Sequence, residues 1–105
     1  MATVFKTNDE LQAAIKSNHV MLLDCFTTWC GPCKMMAPII EDLAKQFEGR
    51  ALVSKVDVEE VEEAGYNFRV TSVPTLIIFK DGVEVAREIG YKPKEMLVKI
   101  LEKYL

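Results

Sequence analysis

The sequence WCGPCK, at residues 29–34, places two cysteines with two residues between them at the junction of two contrasting segments. The apolar run Val20–Phe26 before it predicts a buried strand, and Met35–Phe47 after it has the apolar spacing of a helix. The motif therefore falls in a strand-to-helix turn and opens the helix. A thiol pair in that position is typical of redox chemistry.

Length, charge and cysteine count limit the class of protein. The chain has 105 residues, a net charge of −3 and three cysteines. This length predicts a single domain, residues 1–105, and the negative charge argues against nucleic acid or an anionic membrane as a partner. No apolar run approaches the ~18 residues of a membrane helix. With no export segment visible and an odd cysteine count, we expect a reducing, cytoplasmic location.

Capping and turn residues mark the other elements. Thr7 and Glu10 form a capping box for a helix that extends to about Ser17. Asp81-Gly82 predicts a hairpin turn and an antiparallel strand pair. Further strands are predicted over 3–5, 51–58, 75–79 and 83–89. A helix is predicted to start along the acidic run 59–63, with an apolar stripe that extends to Phe68, and a last helix starts from Pro93. The result is a mixed α/β domain of about five strands and four helices, in which residues 20–58 form a right-handed βαβ unit.

The two cysteines of the motif are predicted to have different roles. The reactive species is a thiolate, and the first turn of a helix stabilises it through unpaired N–H groups and the helix dipole. Cys30 occupies that position, with Lys34 as a nearby cation, so we predict that Cys30 is the nucleophile. Cys33, one turn further on, is expected to be more buried and to resolve the mixed disulfide.

Two other interpretations of the cysteine pair are weaker. A four-coordinate zinc site needs two more ligands, and only Cys25 and His19 remain, without a matching spacing. Ordinary core cysteines are disfavoured because Gly31 and Pro32 at a helix start are not core residues. We therefore expect no metal and no cofactor.

Asp24 is a carboxylate in the middle of an apolar strand. Burial without a partner is costly for such a group and raises its pKa, which makes Asp24 a candidate proton acceptor that deprotonates Cys33, through a water if needed. An internal ion pair with Lys55 on the neighbouring strand is the alternative, and the two interpretations are compatible. Cys25 alternates to the opposite face of the strand, where we expect an inert, buried side chain.

The motif WCGPCK, together with Asp24 before it and Val73-Pro74-Thr75 after it, resembles the thioredoxin family. The resemblance extends over the whole chain and includes the element order, Pro38, Asp57 and Gly90. It implies the thioredoxin fold, a central mixed five-stranded sheet flanked by four helices.

The resemblance also implies roles for individual residues. Cys30 would be the nucleophile, Cys33 the resolving thiol and Asp24 the proton acceptor, with Lys55 beside it. The Val73–Pro74 bond would be cis and would lie against the sulfurs, and the backbone of Val73 would bind an extended substrate segment. The implied substrate-binding residues are Trp29, Gly31, Pro32, Val73, Pro74 and Gly90. Tyr91 is bulkier than the residue usual after this glycine, which bears on partner preference.

The activity implied by the resemblance is protein-disulfide reduction by a monomer. An NADPH-dependent thioredoxin reductase would recharge it, and substrates would include proteins such as peroxiredoxins, ribonucleotide reductase and methionine sulfoxide reductase. A disulfide isomerase or oxidant domain is one alternative, although Gly-Pro between the cysteines resembles the reducing members. A non-catalytic binding subunit of a larger complex is another.

Overall fold

A computed structural model describes all residues from 1 to 105. It contains one five-stranded sheet with the strand order β1-β3-β2-β4-β5. β3 is parallel to β1 and β2, whereas β4 is antiparallel to β2 and β5. The mixed sheet and four helices confirm the predicted fold class. In chain order the elements are β1 Thr3–Phe5, α1 Asn8–Ser17, β2 Val20–Phe26, α2 Gly31–Gln46, β3 Leu52–Asp57, α3 Glu62–Asn67, β4 Thr75–Lys80, β5 Val83–Ile89 and α4 Lys94–Tyr104.

β2 is the central strand, and its first six residues are buried. Alternation along a strand sends successive side chains to opposite faces. Val20 and Leu22 therefore join the core beneath α2 and α4, whereas Met21 and Leu23 join the core beneath α1 and α3. Two hydrophobic layers thus hold β2 in place, which makes it a rigid base for the turn that follows.

The capping residues and the turn residues form the structures that the sequence predicts for them. The Glu10 N–H donates to Thr7 Oγ1 at 3.2 Å and Glu10 Oε1 accepts from the Thr7 N–H at 3.2 Å, which completes the capping box of α1. Asp81 and Gly82 have φ values of 52° and 84°. Two positive φ values give the hairpin turn whose twist matches the flanking strands.

The acidic run forms a turn before it becomes a helix. α3 begins only at Glu62, so the prediction of a helix along the whole run was wrong at its start. The Asp57 carboxylate accepts hydrogen bonds from the Glu59 and Glu60 N–H groups at 2.9 and 3.3 Å. This side chain offers the backbone a turn in place of the first helical residues.

Strand directions bring three loops together at one edge of the sheet. β2 and β3 are parallel, and Phe26 at the end of β2 pairs with Asp57 at the end of β3. β4 runs the other way and begins opposite the same end, where Thr75 pairs with Cys25. The residues after β2, after β3 and before β4 are therefore neighbours. No helix is both long and apolar enough to cross a bilayer.

Candidate active site

Cys30 and Cys33 form a disulfide at the start of α2, with their Cα atoms 5.2 Å apart. Cys30 is the N-cap of the helix, and its sulfur accepts the Cys33 backbone N–H at 3.1 Å. Pro32 lies in the first turn, where a missing N–H costs no helical hydrogen bond. The first turn of α2 therefore directs one amide donor at a sulfur atom and adds the positive end of the helix dipole.

The two cysteine residues are equally buried, which corrects the expectation that Cys33 is the more buried residue. Cys30 is 4% exposed and Cys33 is 5% exposed. The loop before β4 accounts for the difference from the prediction, because Cys30 Sγ lies 3.7 Å from the Val73 carbonyl oxygen. A loop distant in sequence covers Cys30, and helix position alone could not indicate it.

Asp24 lies on β2 and is only 1% exposed. Desolvation by burial raises its pKa from 3.8 to about 7, and the positive charge of Lys55 opposes part of that rise. One carboxylate oxygen, Oδ1, is buried and has no hydrogen-bond partner in the protein. Asp24 is therefore a carboxyl group that can both accept and return a proton near neutral pH.

Lys55 is the register neighbour of Asp24 on β3 but does not pair with it directly. None of the three ion pairs of the structure joins the two side chains. The Lys55 ammonium instead lies 4.9 Å from the centre of the Phe26 ring. The predicted internal ion pair is therefore absent, and the positive charge of Lys55 acts on the Asp24 carboxylate only from a distance.

An exposed surface surrounds the disulfide. Trp29 is 67% exposed, Gly31 and Pro32 are exposed, and Val73 and Gly90 are partly exposed. The Val73–Pro74 bond is cis, as predicted. Pro74 is buried, and its carbonyl accepts the Gly90 N–H at 2.8 Å. We give the name docking surface to the six residues that are proposed below to bind substrate, namely Trp29, Gly31, Pro32, Val73, Pro74 and Gly90.

The Val73 backbone within the docking surface has unused hydrogen-bonding capacity. Neither its N–H nor its carbonyl takes part in a backbone hydrogen bond. An N–H and a carbonyl free at the end of a sheet can pair with an added extended segment. Ile89 and Tyr91 flank Gly90 and are both exposed, so they add apolar area beside the docking surface.

The contact between Glu59 and Trp29 was not predicted from the sequence. Glu59 Oε1 accepts the indole N–H of Trp29 at 2.8 Å, and this hydrogen bond fixes one edge of the ring. The sequence places Glu59 in an acidic run, where a solvated side chain is the ordinary expectation. The predicted strand pairing could have indicated this contact, because parallel β2 and β3 bring the residues after each strand together.

Cys25 is the third cysteine and lies on the opposite face of β2 from Asp24. It is fully buried among apolar side chains. Desolvation raises the pKa of its thiol to about 12, and the charge of Asp24 adds to the rise. Such a thiol stays protonated at physiological pH, which agrees with the inert role predicted for it.

Comparison with known proteins identifies the family. Residues 2–103 match the family model described as Thioredoxin. The chain belongs to the thioredoxin family. A thioredoxin from Staphylococcus aureus is 45% identical to it over the full length of both chains. The structure of Plasmodium falciparum thioredoxin superposes with a TM-score of 0.91 at 33% identity, covering 99% of this chain and 100% of that one. A mutant thioredoxin from Halobacterium salinarum gives 0.92 at 35% identity, covering 98% and 89%.

The family and the cysteine pair together establish the reaction class. This member of the family is a thiol–disulfide oxidoreductase, a protein-disulfide reductase whose redox-active pair is Cys30 and Cys33. Its partners are of two kinds, a reductase that supplies electrons and proteins whose disulfides it reduces.

Proposed function

We propose that residues 1–105 act as a single cytoplasmic thioredoxin domain in which Cys30 attacks protein disulfides and Cys33 resolves the product. The observation that carries this proposal is the position of Cys30 as the N-cap of α2, with the Cys33 amide directed at its sulfur. A thiolate accepts that hydrogen bond more strongly than a thiol does. Cys25, in its apolar core, receives no comparable hydrogen bond.

The first step is nucleophilic attack by the reduced protein. The Cys30 thiolate attacks one sulfur of the substrate disulfide, an S–S bond forms between them, and the other substrate sulfur leaves as a thiolate that takes up a proton. Helix α2 stabilises the attacking charge. The closed Cys30–Cys33 ring is then the product of the second step.

Asp24 serves the second step. Cys33 gives its proton to the Asp24 carboxylate, and the resulting thiolate attacks Cys30 and breaks the bond to the substrate. The substrate leaves as a thiolate and takes up the proton held by Asp24, which returns Asp24 to its charged form. A pKa of about 7 suits this exchange, because the carboxyl then changes state at the working pH. Lys55 keeps that pKa from rising further.

Substrate selection is assigned to the docking surface. An extended substrate segment pairs with the free backbone groups of Val73, which brings its disulfide to Cys30 Sγ, 3.7 Å from the Val73 carbonyl oxygen. Trp29, Gly31, Pro32 and Gly90 pack against the flanking residues, with Pro74 holding Gly90 in place. Hydrogen bonds to the substrate backbone depend little on the substrate's side chains, so we expect a broad set of protein disulfides as substrates.

Electrons reach this pair from an NADPH-dependent thioredoxin reductase, and the reduced form acts on proteins such as peroxiredoxins, ribonucleotide reductase and methionine sulfoxide reductase. Support for these finer partners comes from family membership. A monomer is sufficient for this proposed activity, because one chain carries both cysteines, Asp24 and the whole docking surface.

Insulin reduction tests the proposal. With dithiothreitol as the electron source, wild-type protein should accelerate insulin precipitation, Cys30→Ser should abolish the acceleration, and Cys33→Ser should trap a mixed disulfide at Cys30. A wild-type rate equal to the rate without protein would contradict reduction and favour the binding-subunit alternative. Replacing dithiothreitol with NADPH and a bacterial thioredoxin reductase tests the recharging step, where absence of NADPH consumption would refute it.

The isomerase or oxidant alternative predicts a different direction of electron flow. Equilibration with glutathione buffers measures the reduction potential of the Cys30–Cys33 pair. A potential well below that of glutathione supports reduction. A potential near that of protein disulfide isomerase would support the alternative.

A further inference from the structure

Met36 is a buried methionine of α2 whose sulfur atom accepts a hydrogen bond. The residue is fully buried in the core beneath α2 and α4. Its Sδ accepts the backbone N–H of Lys92 at 3.5 Å. Leucine fills a core site of this volume with little loss of stability. Packing alone therefore does not require a sulfur at this position, whereas the hydrogen bond gives the sulfur a role.

The N–H of Lys92 has no other acceptor in the protein. Lys92 lies between the end of β5 at Ile89 and the start of α4 at Lys94, so neither the sheet nor the helix provides a partner. No backbone carbonyl or other side chain accepts this N–H. A partly buried N–H without an acceptor is costly, so even the weak acceptor capacity of a thioether matters at this place.

The segment that contains Lys92 carries part of the docking surface. We call residues 90–93 the Gly90 loop. The Gly90 N–H donates to the Pro74 carbonyl at 2.8 Å, and the Lys92 N–H donates to Met36 Sδ. Tyr91 lies between these two attachments and is 43% exposed. The loop is therefore fixed to the residue before β4 at one end and to the helix of the cysteine pair at the other.

The attachment to Met36 relates the Gly90 loop to the two thiols. Met36 follows Cys33 by three residues, so the two lie on the same buried face of α2. It is the only hydrogen bond between the loop and α2. The Lys92 ammonium donates to the Ile89 carbonyl at 3.0 Å, which closes the loop on itself without reaching α2. Loss of the sulfur would therefore let Tyr91 move relative to the cysteine pair.

We propose that Met36 is a positioning residue for substrate binding, and that its sulfur holds the Gly90 loop against α2 so that Gly90 and Tyr91 meet the substrate beside Cys30. This inference rests on the proposed function, in which the docking surface binds an extended substrate segment. The sulfur takes no part in thiol–disulfide exchange. Its loss should therefore weaken substrate binding and leave the chemical step unchanged.

Insulin kinetics with two matched methionine variants test the inference. Met21 on β2 is also fully buried, but its sulfur accepts no hydrogen bond, so Met21→Leu is the control for Met36→Leu. With dithiothreitol in excess, we expect Met36→Leu to raise KM about two- to fourfold and to keep kcat within about 1.5-fold of wild type. Met21→Leu should keep both constants. Equal KM values in wild type and Met36→Leu, or the same rise in Met21→Leu, would overturn the inference.

Hydrogen exchange at the Lys92 amide connects the kinetics with the Gly90 loop. NMR should show this amide exchanging at least about fivefold faster in Met36→Leu than in wild type, because its acceptor is gone. In Met21→Leu the amide should exchange at the wild-type rate. A rise in KM without faster exchange at Lys92 would show that Met36 does not act through the loop, and the inference would then be wrong.

Two further measurements separate positioning from general damage. Iodoacetamide needs no docking surface, so it should alkylate Cys30 at the same rate in all three reduced proteins, and slower alkylation in Met36→Leu alone would refute the inference. Both variants should melt within about 8 °C of wild type. If Met36→Leu does not fold, Met36→Ile removes the same acceptor, and a wild-type KM in that variant would count against the proposal. Failure of the proposed function would differ, because wild type would not reduce insulin while the difference in Lys92 exchange would remain.

Discussion

Cys25 and Cys30 are five residues apart and are both buried, yet the fold gives their sulfurs opposite surroundings. Cys25 is fully buried in a strand, among apolar side chains of the core beneath α1 and α3. Cys30 is the N-cap of α2 and accepts an amide hydrogen bond from Cys33. Burial therefore does not separate the structural thiol from the redox-active one.

The difference between the two cysteines lies in the groups that face each sulfur. An apolar surrounding opposes ionisation, which is why the pKa of Cys25 rises to about 12. Helix N–H groups and the dipole favour the ionised form of Cys30. One short segment thus contains a thiol that packs and a thiol that reacts.

The largest expected effect comes from replacing Cys30 and Cys25 separately and comparing the activities. Cys30→Ser should lower the insulin-reduction rate by about three orders of magnitude or more, because the nucleophile is lost. Cys25→Ala should leave the rate within about twofold of wild type, since Cys25 does not contact the disulfide. Loss of activity in correctly folded Cys25→Ala would contradict the division of roles.

Asp24 lies on β2 immediately before Cys25, and its burial has a cost that depends on pH. Its folded pKa of about 7 exceeds the unfolded value of 3.8, so its contribution to stability is full below pH 4 and is lost as pH rises through 7. Asp24→Asn should therefore raise the free energy of unfolding at pH 9, by on the order of 4 kcal/mol, and change it little near pH 4. Denaturant titrations at the two pH values measure this difference. A gain at pH 4 as large as at pH 9 would rule out ionisation as its cause.

Replacing Cys25 or Cys30 by alanine compares their contributions to the stability of the fold. Cys25→Ala removes a fully buried sulfur from the core and should lower the free energy of unfolding by about 1–2 kcal/mol. Cys30→Ala should cost less when measured against the reduced wild-type protein, because Cys30 lies at the edge of the core. Urea unfolding of the three proteins under reducing conditions checks the order, and the reverse order would contradict it.

Much of the architecture could be predicted from sequence because its signals are local. The capping box at Thr7 and Glu10, the Asp81-Gly82 turn and the apolar run Val20–Phe26 each depend on neighbours along the chain. The two-sided burial of β2 followed from the run alone, since a central strand needs apolar residues on both faces.

The errors concern contacts between segments distant in sequence. Val73, 43 residues from Cys30, covers that cysteine and makes its burial equal to that of Cys33. Lys55 was expected to pair with Asp24, but its ammonium lies over the Phe26 ring. Glu59 binds Trp29 across two loops. Rotamers and loop paths decide these contacts, and no periodicity in the sequence reports them.

The smallest expected effect concerns Trp29 beside the reactive thiol. Glu59→Ala removes the acceptor of the indole N–H, which should loosen the ring and raise KM for insulin about two- to fivefold with little change in kcat. Glu59→Gln keeps a carbonyl acceptor and should stay near wild type. Equal KM values in all three proteins would show that the hydrogen bond does not order the docking surface.

Selective alkylation tests the central claim most directly, since it compares the thiols in one molecule. Reduced protein is treated briefly with iodoacetamide at pH 7, quenched in acid, and each cysteine is quantified by peptide mass spectrometry, with a urea-unfolded sample as the control for intrinsic reactivity. We predict that Cys30 is modified at least about tenfold faster than Cys25 in the folded protein, and that unfolding removes the difference. Modification of Cys25 as fast as Cys30 in the folded state would contradict the account.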